Sequence, residues 1–266
     1  MRFLVPVLVA LLGTSPVLAA ATDWQEVAPQ TRVRLISSDQ LDAQGRVLAG
    51  LEIDMPQAVK TYWRVPGETG IPTMLDLTGS TGIADHRMHW PYPQIDQTGG
   101  YLDYVYYGPT VLPLELTPAG GPMVLELSVV MGICSDICVP VQASFALAID
   151  PTMPDAGQAL RLAQALSTVP VSPEPDTAIG EVLVSAEGLS IALLASDIDP
   201  ATVIAASSES GLLFGAPQKS PEGDLVHLSV LGGDGGQGLV GHAIDISYMT
   251  PAGAFIVVRK IAAGST

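Results

Sequence analysis

Two segments carry an apolar residue at every odd position, and both cysteines of the chain lie between them. In Met123 to Met131 the odd positions are Met123, Leu125, Leu127, Val129 and Met131, with Glu126 and Ser128 among the even ones. In Val141 to Ile149 the odd positions are Val141, Ala143, Phe145, Leu147 and Ile149, with Gln142 and Ser144 between them. A period of two means a strand with one buried face. Val59, Thr61, Trp63 and Val65 oppose Lys60, Tyr62 and Arg64 in the same way. Gly, Pro and Asp punctuate the chain at short intervals, which favours many short antiparallel strands packed as a sandwich.

The stretch between the two segments is GICSDICVP, holding Cys134 and Cys138. Four positions along a continuous strand span about 13 Å. A disulfide needs Cα atoms within about 4.4–6.8 Å. If the pair is bonded, a tight turn must carry both cysteines, at a hairpin tip or on one helical turn. Gly132 and Pro140 fit its boundaries. A bond closing a loop of about five residues contributes only ~2 kcal/mol by chain entropy. Two long apolar strands gain little from a link at their own tip, whereas a tip exposes sulfur to a partner. Geometry alone leaves three readings open: a redox pair, a structural staple, and part of a metal site. His86 and His89, in DHRMH, could complete a Cys₂His₂ set. On a strand, however, i and i+3 face opposite ways, which disfavours shared ligation. C-x-x-C-H haem attachment and a C-x-x-C thioredoxin site are both absent.

The N-terminus carries Arg2, an apolar run Phe3 to Leu12 broken by Pro6, Gly13, and then VLAAAT. That order predicts a signal peptide over 1–21, cut after Ala19 or Ala21. The run is shorter than the roughly 20 residues of a membrane span, and nothing later resembles one. The expected product is exported, not itself membrane-spanning, and periplasmic, where disulfides persist. A formal net charge of −16 and a pI near 4.3, with Lys60, Lys219 and Lys260 the only lysines, exclude electrostatic binding of nucleic acid.

About 245 residues after cleavage are comfortable for two domains. Residues 155–167, DAGQALRLAQALS, carry a helical pattern with Leu160, Leu162, Ala163 and Leu166 near one face; VPVSPEPDT after it reads as a linker. Beyond the joint, strands are expected at Gly180 to Val184, Leu189 to Leu194, Leu225 to Leu231, Ala243 to Met249 and Ala254 to Lys260. The expectation is an all-β chain of two immunoglobulin-like sandwich domains. The first occupies 22–150, the helix and linker 151–178, and a smaller second domain 179–266.

CSDICVPVQASFAL resembles the cysteine segment of the N-terminal periplasmic domain in the DsbD/ScsB class of thiol:disulfide interchange reductases, closest to the ScsB-like branch. TYWRVPGETGIP, LDLTGSTGI, HWPYP and GYLDYVYYGPTVLPLEL follow that branch's landmarks in order, over roughly residues 25–150. The resemblance implies an immunoglobulin-like sandwich with the cysteines near one edge. It implies that the pair toggles between disulfide and dithiol without a cofactor or metal. Electrons would come from a membrane-embedded thiol reductase or a thioredoxin-like domain and pass to periplasmic oxidoreductases. Cys138 would form the mixed disulfide and Cys134 resolve it. Asp136 would disfavour a thiolate nearby, and Arg64 or Arg87 could offset it. The long family proteins continue into membrane and thioredoxin-like domains, so a chain ending at Thr266 would meet its reductant as a separate molecule. In the better-known branch an aromatic loop caps the disulfide; the matching stretch PYPQIDQTGGY offers Tyr92 or Tyr101. Two rival functions are an immunoglobulin-like binding module with an inert disulfide, and a copper(I) handler using soft thiolates.

Overall fold

The computed structural model of the chain describes residues 20–207, 212–221, 224–231 and 238–264. The expected signal peptide lies outside the described residues except for its last two. Of these, Ala20 accepts a hydrogen bond from Ser37 N–H at 2.7 Å, and Ala21 bridges to Ile36.

The N-terminal part holds β1 (Gln25–Ala28), β2 (Thr31–Leu41), β3 (Val47–Asp54), β4 (Lys60–Gly67), β5 (Met74–Asp76) and β6 (Ile83–Met88). It continues with β7 (Gln94–Asp96), β8 (Asp103–Tyr107), β9 (Thr110–Pro118), β10 (Met123–Cys134) and β11 (Cys138–Ile149). One sheet runs β1-β2-β3-β9-β6; the other runs β11-β10-β4-β8-β7, with β5 beside β10. A single core draws on both. Leu35, Leu51, Ile53, Leu112 and Leu114 come from the first sheet, and Trp63, Tyr104, Leu125, Leu127, Phe145 and Leu147 from the second. Each such large apolar side chain contributes roughly 1.5–3 kcal/mol by leaving water. The alternation holds in detail: Met123, Leu125, Leu127, Val129 and Met131 are buried while Glu126 is exposed.

Helix α1 (Ala156–Leu166) begins where expected. Asp155 caps it, accepting from Gln158 N–H at 2.9 Å. Its buried face differs from expectation. Leu162 is fully buried, but Leu160 is 72% exposed and Ala163 is exposed. Residues two apart on a helix point about 200° apart, so Leu160 and Leu162 cannot share a face. Leu162 packs down on Gly50 of β3, where an added Cβ would lie 2.7 Å from its Cδ2.

Near the helix start Asp39 is buried in a positive-φ conformation (45°), and its Oδ1 lacks a partner. Burial pushes its carboxyl above the ordinary range; Ser37 and the Asp150 backbone only partly offset this, and the Asp150 and Asp155 charges add to it. A raised folded-state value favours folding at acid pH, and that advantage is lost as pH rises through it. Asp39→Asn keeps the left-handed backbone accessible and removes the charge. It should stabilise the protein by about 1 kcal/mol near neutrality. The gain should shrink toward about pH 4, as followed by thermal unfolding at both pH values.

The C-terminal part holds β12 (Ile179–Ser185), β13 (Gly188–Leu193), β14 (Ile204–Ala206), β15 (Leu213–Phe214) and β16 (Gln218–Lys219). Then follow β17 (Leu225–Leu228), β18 (Val230–Leu231), β19 (Ala243–Thr250) and β20 (Gly253–Ala263). The main sheet runs β14-β19-β20-β12-β13-β17-β16, around its own core of Ile179, Ile191, Phe214, Val226, Ile246 and Val257. The strand expected at Leu225 to Leu231 is interrupted at Ser229, because β18 leaves the main sheet to pair with β15. The described residues are thus all-β apart from α1 and two short 3₁₀ turns. No helix among them is long and apolar enough to cross a membrane.

The two parts are joined by more than the Pro-rich stretch. Ile204 and Ala206 of β14 belong to the N-terminal core. Val171 donates to Ala254 O at 3.1 Å and accepts from Ile256 N–H at 3.0 Å, so the stretch is itself stitched to β20.

Candidate functional site

The β10–β11 ladder runs unbroken from Met123↔Ile149 to Cys134↔Cys138. Ser135, Asp136 and Ile137 close the hairpin, and Ser135 N–H donates to Ile137 O at 3.3 Å. The cysteines are the last rung, disulfide-bonded, with Cα atoms 4.1 Å apart. Odd residues of β10 face the core, so the even-numbered Cys134 faces the outer side of its sheet. There it joins a small separate cluster with Tyr62 and Val105. Cys134 is 1% exposed, whereas Cys138 is exposed.

Tyr62 comes from β4, whose Trp63 points into the core. Its hydroxyl lies 2.9 Å from Cys134 Sγ and 3.2 Å from Cys138 Sγ. A disulfide has no hydrogen to give, so the hydroxyl is the donor. The ring is held in a slot between two glycines. A Cβ on Gly70 would lie 2.4 Å from its Cδ1, and a Cβ on Gly132 3.0 Å from its Cδ2 and 2.9 Å from Ile71. The 68–72 segment therefore lies across the ring. Thr61 Oγ1 fixes the strand below it, donating to Gly132 O at 2.9 Å. Gly132→Ala should push the ring from the sulfurs and cost about 1–3 kcal/mol by overpacking. Denaturant unfolding checks the cost, and the disulfide's reduction potential checks the lost contact.

Beside the ring is a compact charge network. Lys60, opposite Cys134 in the ladder, reaches Asp96 Oδ2 at 2.6 Å and Asp103 Oδ2 at 3.5 Å. Asp96 also accepts from Tyr107 OH at 2.7 Å and Thr98 N–H at 2.9 Å. Thr69 donates twice to Asp103, through Oγ1 at 2.6 Å and N–H at 3.0 Å. Burial opposes the charge on Asp96, but bonds from Lys60, Thr98 and Tyr107 outweigh it and hold the carboxyl well below its usual range. Burial likewise opposes the charge on Lys60, and Asp96 reverses that into a raised value. Burial first, then the Asp103 carboxylate, raises Tyr62, with Lys60 partly offsetting. Tyr62 therefore remains protonated, a hydrogen-bond donor throughout the neutral range.

Residues 29–149 match the family described as thiol:disulfide interchange protein DsbD, N-terminal. Residues 29–149 form a DsbD/ScsB-like N-terminal domain. The crystal structure of the N-terminal periplasmic domain of ScsB from Proteus mirabilis matches with a TM-score of 0.72 at 25% identity. That match covers 92% of this chain and 100% of the other, so it runs past the DsbD/ScsB-like domain into the C-terminal sheet. No curated protein sequence matches the chain.

Three tyrosines of the DsbD/ScsB-like domain have different surroundings. Tyr92 turns away from the disulfide: its hydroxyl donates to Thr202 O in the C-terminal part, and its N–H donates to Thr168 O at 2.9 Å. Tyr101 stands 55% exposed after Gly99 and Gly100, whose φ values are 78° and 85°. The tyrosine on both sulfurs is Tyr62. The neighbouring cation is also not an arginine. Arg64 is paired with Asp245 at 2.7 Å, and Arg87 lies on β6 in the other sheet; Lys60 takes the place. His86 lies on β6 too, and His89 follows it, its Nε2 3.6 Å from Glu115. Burial depresses His89, against the pull of Glu115. Both histidines thus belong to the sheet that lacks the cysteines.

Proposed function

We propose that Cys134 and Cys138 exchange between disulfide and dithiol, passing two electrons from a membrane-embedded thiol reductase or its thioredoxin-like domain to periplasmic thioredoxin-like oxidoreductases. The observation that carries this reading is the asymmetry of the pair: an exposed Cys138 at the hairpin tip, a buried Cys134, and one tyrosine hydroxyl on both sulfurs. Ile137 (73% exposed) and Val139 (40%) flank Cys138 with apolar surface suited to a protein partner. The family match and the ScsB likeness support thiol–disulfide exchange.

In reduction, a partner thiolate attacks Cys138 Sγ. The Cys134–Cys138 bond breaks and its electron pair leaves on Cys134, beside the Tyr62 hydroxyl and within the field of Lys60. The partner's second thiolate then attacks its own sulfur in the mixed disulfide, expelling Cys138 as a thiolate. The partner ends as a disulfide and this chain as a dithiol once two protons are taken up. Oxidation by an acceptor runs the same steps backward. Residues 22–150 act as an immunoglobulin-like redox domain and 179–266 as a second domain. The chain acts in the periplasm after loss of its signal peptide.

The test is the reduction potential of the pair, measured by equilibrating the mature protein in graded thiol buffers and counting alkylated cysteines by mass. A value between roughly −270 and −120 mV fits a carrier. A value below about −300 mV means an inert staple and overturns the proposal.

A further inference from the structure

The C-terminal part touches the N-terminal sandwich through one side chain on β4 and one just ahead of β7, two strands that build the disulfide's surroundings. On β4, Arg64 follows Tyr62 by two residues, within a stretch where the pairing register with β8 shifts. Its guanidinium stacks 4.5 Å from the Trp63 ring centroid and pairs with Asp245 of β19 at 2.7 Å. Both partners are largely buried, with 20% and 28% side-chain exposure. Ahead of β7, Tyr92 is held by Thr202 O through its hydroxyl and by Thr168 O through its N–H. Pro91 and Pro93 flank it and restrict the backbone. Pro91 O is fixed as well, accepting from Tyr106 OH at 2.7 Å. From this anchored point the chain runs directly into β7, whose Asp96 holds Lys60.

We infer that the C-terminal sheet is a positioning clamp for the redox pair. Through Asp245–Arg64 it fixes the strand carrying Tyr62, and through Thr202–Tyr92 it fixes the strand carrying Asp96. Arg64, Tyr92 and Asp245 touch neither sulfur and are positioning residues. The inference deepens the proposed function by giving the C-terminal part a role in tuning the disulfide, and rests on that reading only for its purpose. Small displacements matter here, because the hydroxyl–sulfur and Lys60–Asp96 contacts depend steeply on distance. Releasing either anchor should loosen them and lower the thiolate fraction of reduced Cys138, the quantity that sets its rate of attack.

The experiment uses the full mature chain and a double variant, Tyr92→Phe with Asp245→Asn, both near-isosteric. Asp176→Asn serves as the control. It breaks the Arg259–Asp176 pair (2.6 Å), which ties the end of the Pro-rich stretch to β20 and holds neither β4 nor β7. Each protein is reduced, and the rate of Cys138 alkylation is followed against pH, with thermal unfolding in parallel. The double variant should stay folded, react about threefold more slowly at pH 7 and show its pH midpoint moved upward. The control should lose stability with the wild-type profile unchanged. A double variant that loses stability yet keeps the wild-type profile overturns the clamp and leaves these contacts as cohesion only. Profiles moved equally by the control would also overturn it, since the effect would then follow stability. The profile is read on the reduced protein, so it reports positioning whether or not the wild-type potential supports exchange.

Discussion

A Cys134→Ser variant, left with Cys138 alone, is expected to trap a thioredoxin-like oxidoreductase or glutathione as a lasting mixed disulfide. Cys138→Ser should not. Exchange depends on access and on the thiolate, and the two sulfurs differ sharply in both. Cys138 is exposed between Ile137 and Val139, whereas Cys134 sits 1% exposed under Tyr62. With Cys134 replaced, nothing in the chain can resolve a bond made at Cys138, because no further cysteine exists. With Cys138 replaced, the remaining thiol is shielded and should react with an aromatic disulfide reagent at least about tenfold more slowly, a difference of ~1.4 kcal/mol in barrier. Stopped-flow absorbance on the two variants gives the ratio directly. Equal rates, or a faster Cys134, would reverse the assigned roles.

The hairpin that presents this pair was legible because its strands bury one face only. A period of two then has a single physical reading, and the reach of four residues forces the turn. The same logic placed Tyr62 opposite Trp63. What it could not show is that the outer face of β4 is covered in turn, by the 68–72 segment, or that the sulfurs 72 positions away lie there. That pairing is set by tertiary register, Cys134 against Lys60, for which local pattern holds no signal. Gly132 was the available clue: a glycine within a strand marks a close approach. β2 escaped because its alternation fails at Ile36–Asp39, where Ser37, Ser38 and Asp39 are all buried. The Pro-rich stretch read as a free linker because proline composition speaks of chain stiffness, whereas the Val171 bonds to β20 depend on a partner strand over 80 residues on. Sequence likeness faded beyond residue 150, yet the ScsB fold match covers 92% of the chain, since packing tolerates substitution that motifs do not.

The second large effect is expected at Lys60. Lys60→Met removes the cation that pairs with both Asp96 and Asp103, leaving two buried carboxylates without it. Breaking one side of a buried pair typically costs about 3–5 kcal/mol, and Tyr107, Thr98 and Thr69 should hold the loss toward the lower figure. The sign with pH follows from Asp96. Its folded-state value is depressed, so its contribution is present above the unfolded value of about 4 and lost as pH falls through the folded one. The deficit of Lys60→Met should therefore be full near neutrality and should narrow in acid, where the carboxylates can take protons instead. Urea unfolding at pH 7 and pH 4 measures it. Pairing Lys60→Met with Asp96→Leu separates stability from chemistry. Replacing both charges with apolar groups should recover most of the lost stability, as buried pairs commonly allow. It should not recover Cys138 reactivity, because the positive charge beside Tyr62, at the position that pairs with Cys134, is still missing. If the double variant regains both, the network is a structural brace and the ammonium plays no part in the thiol chemistry. If it regains stability alone, Lys60 acts on the sulfurs electrostatically.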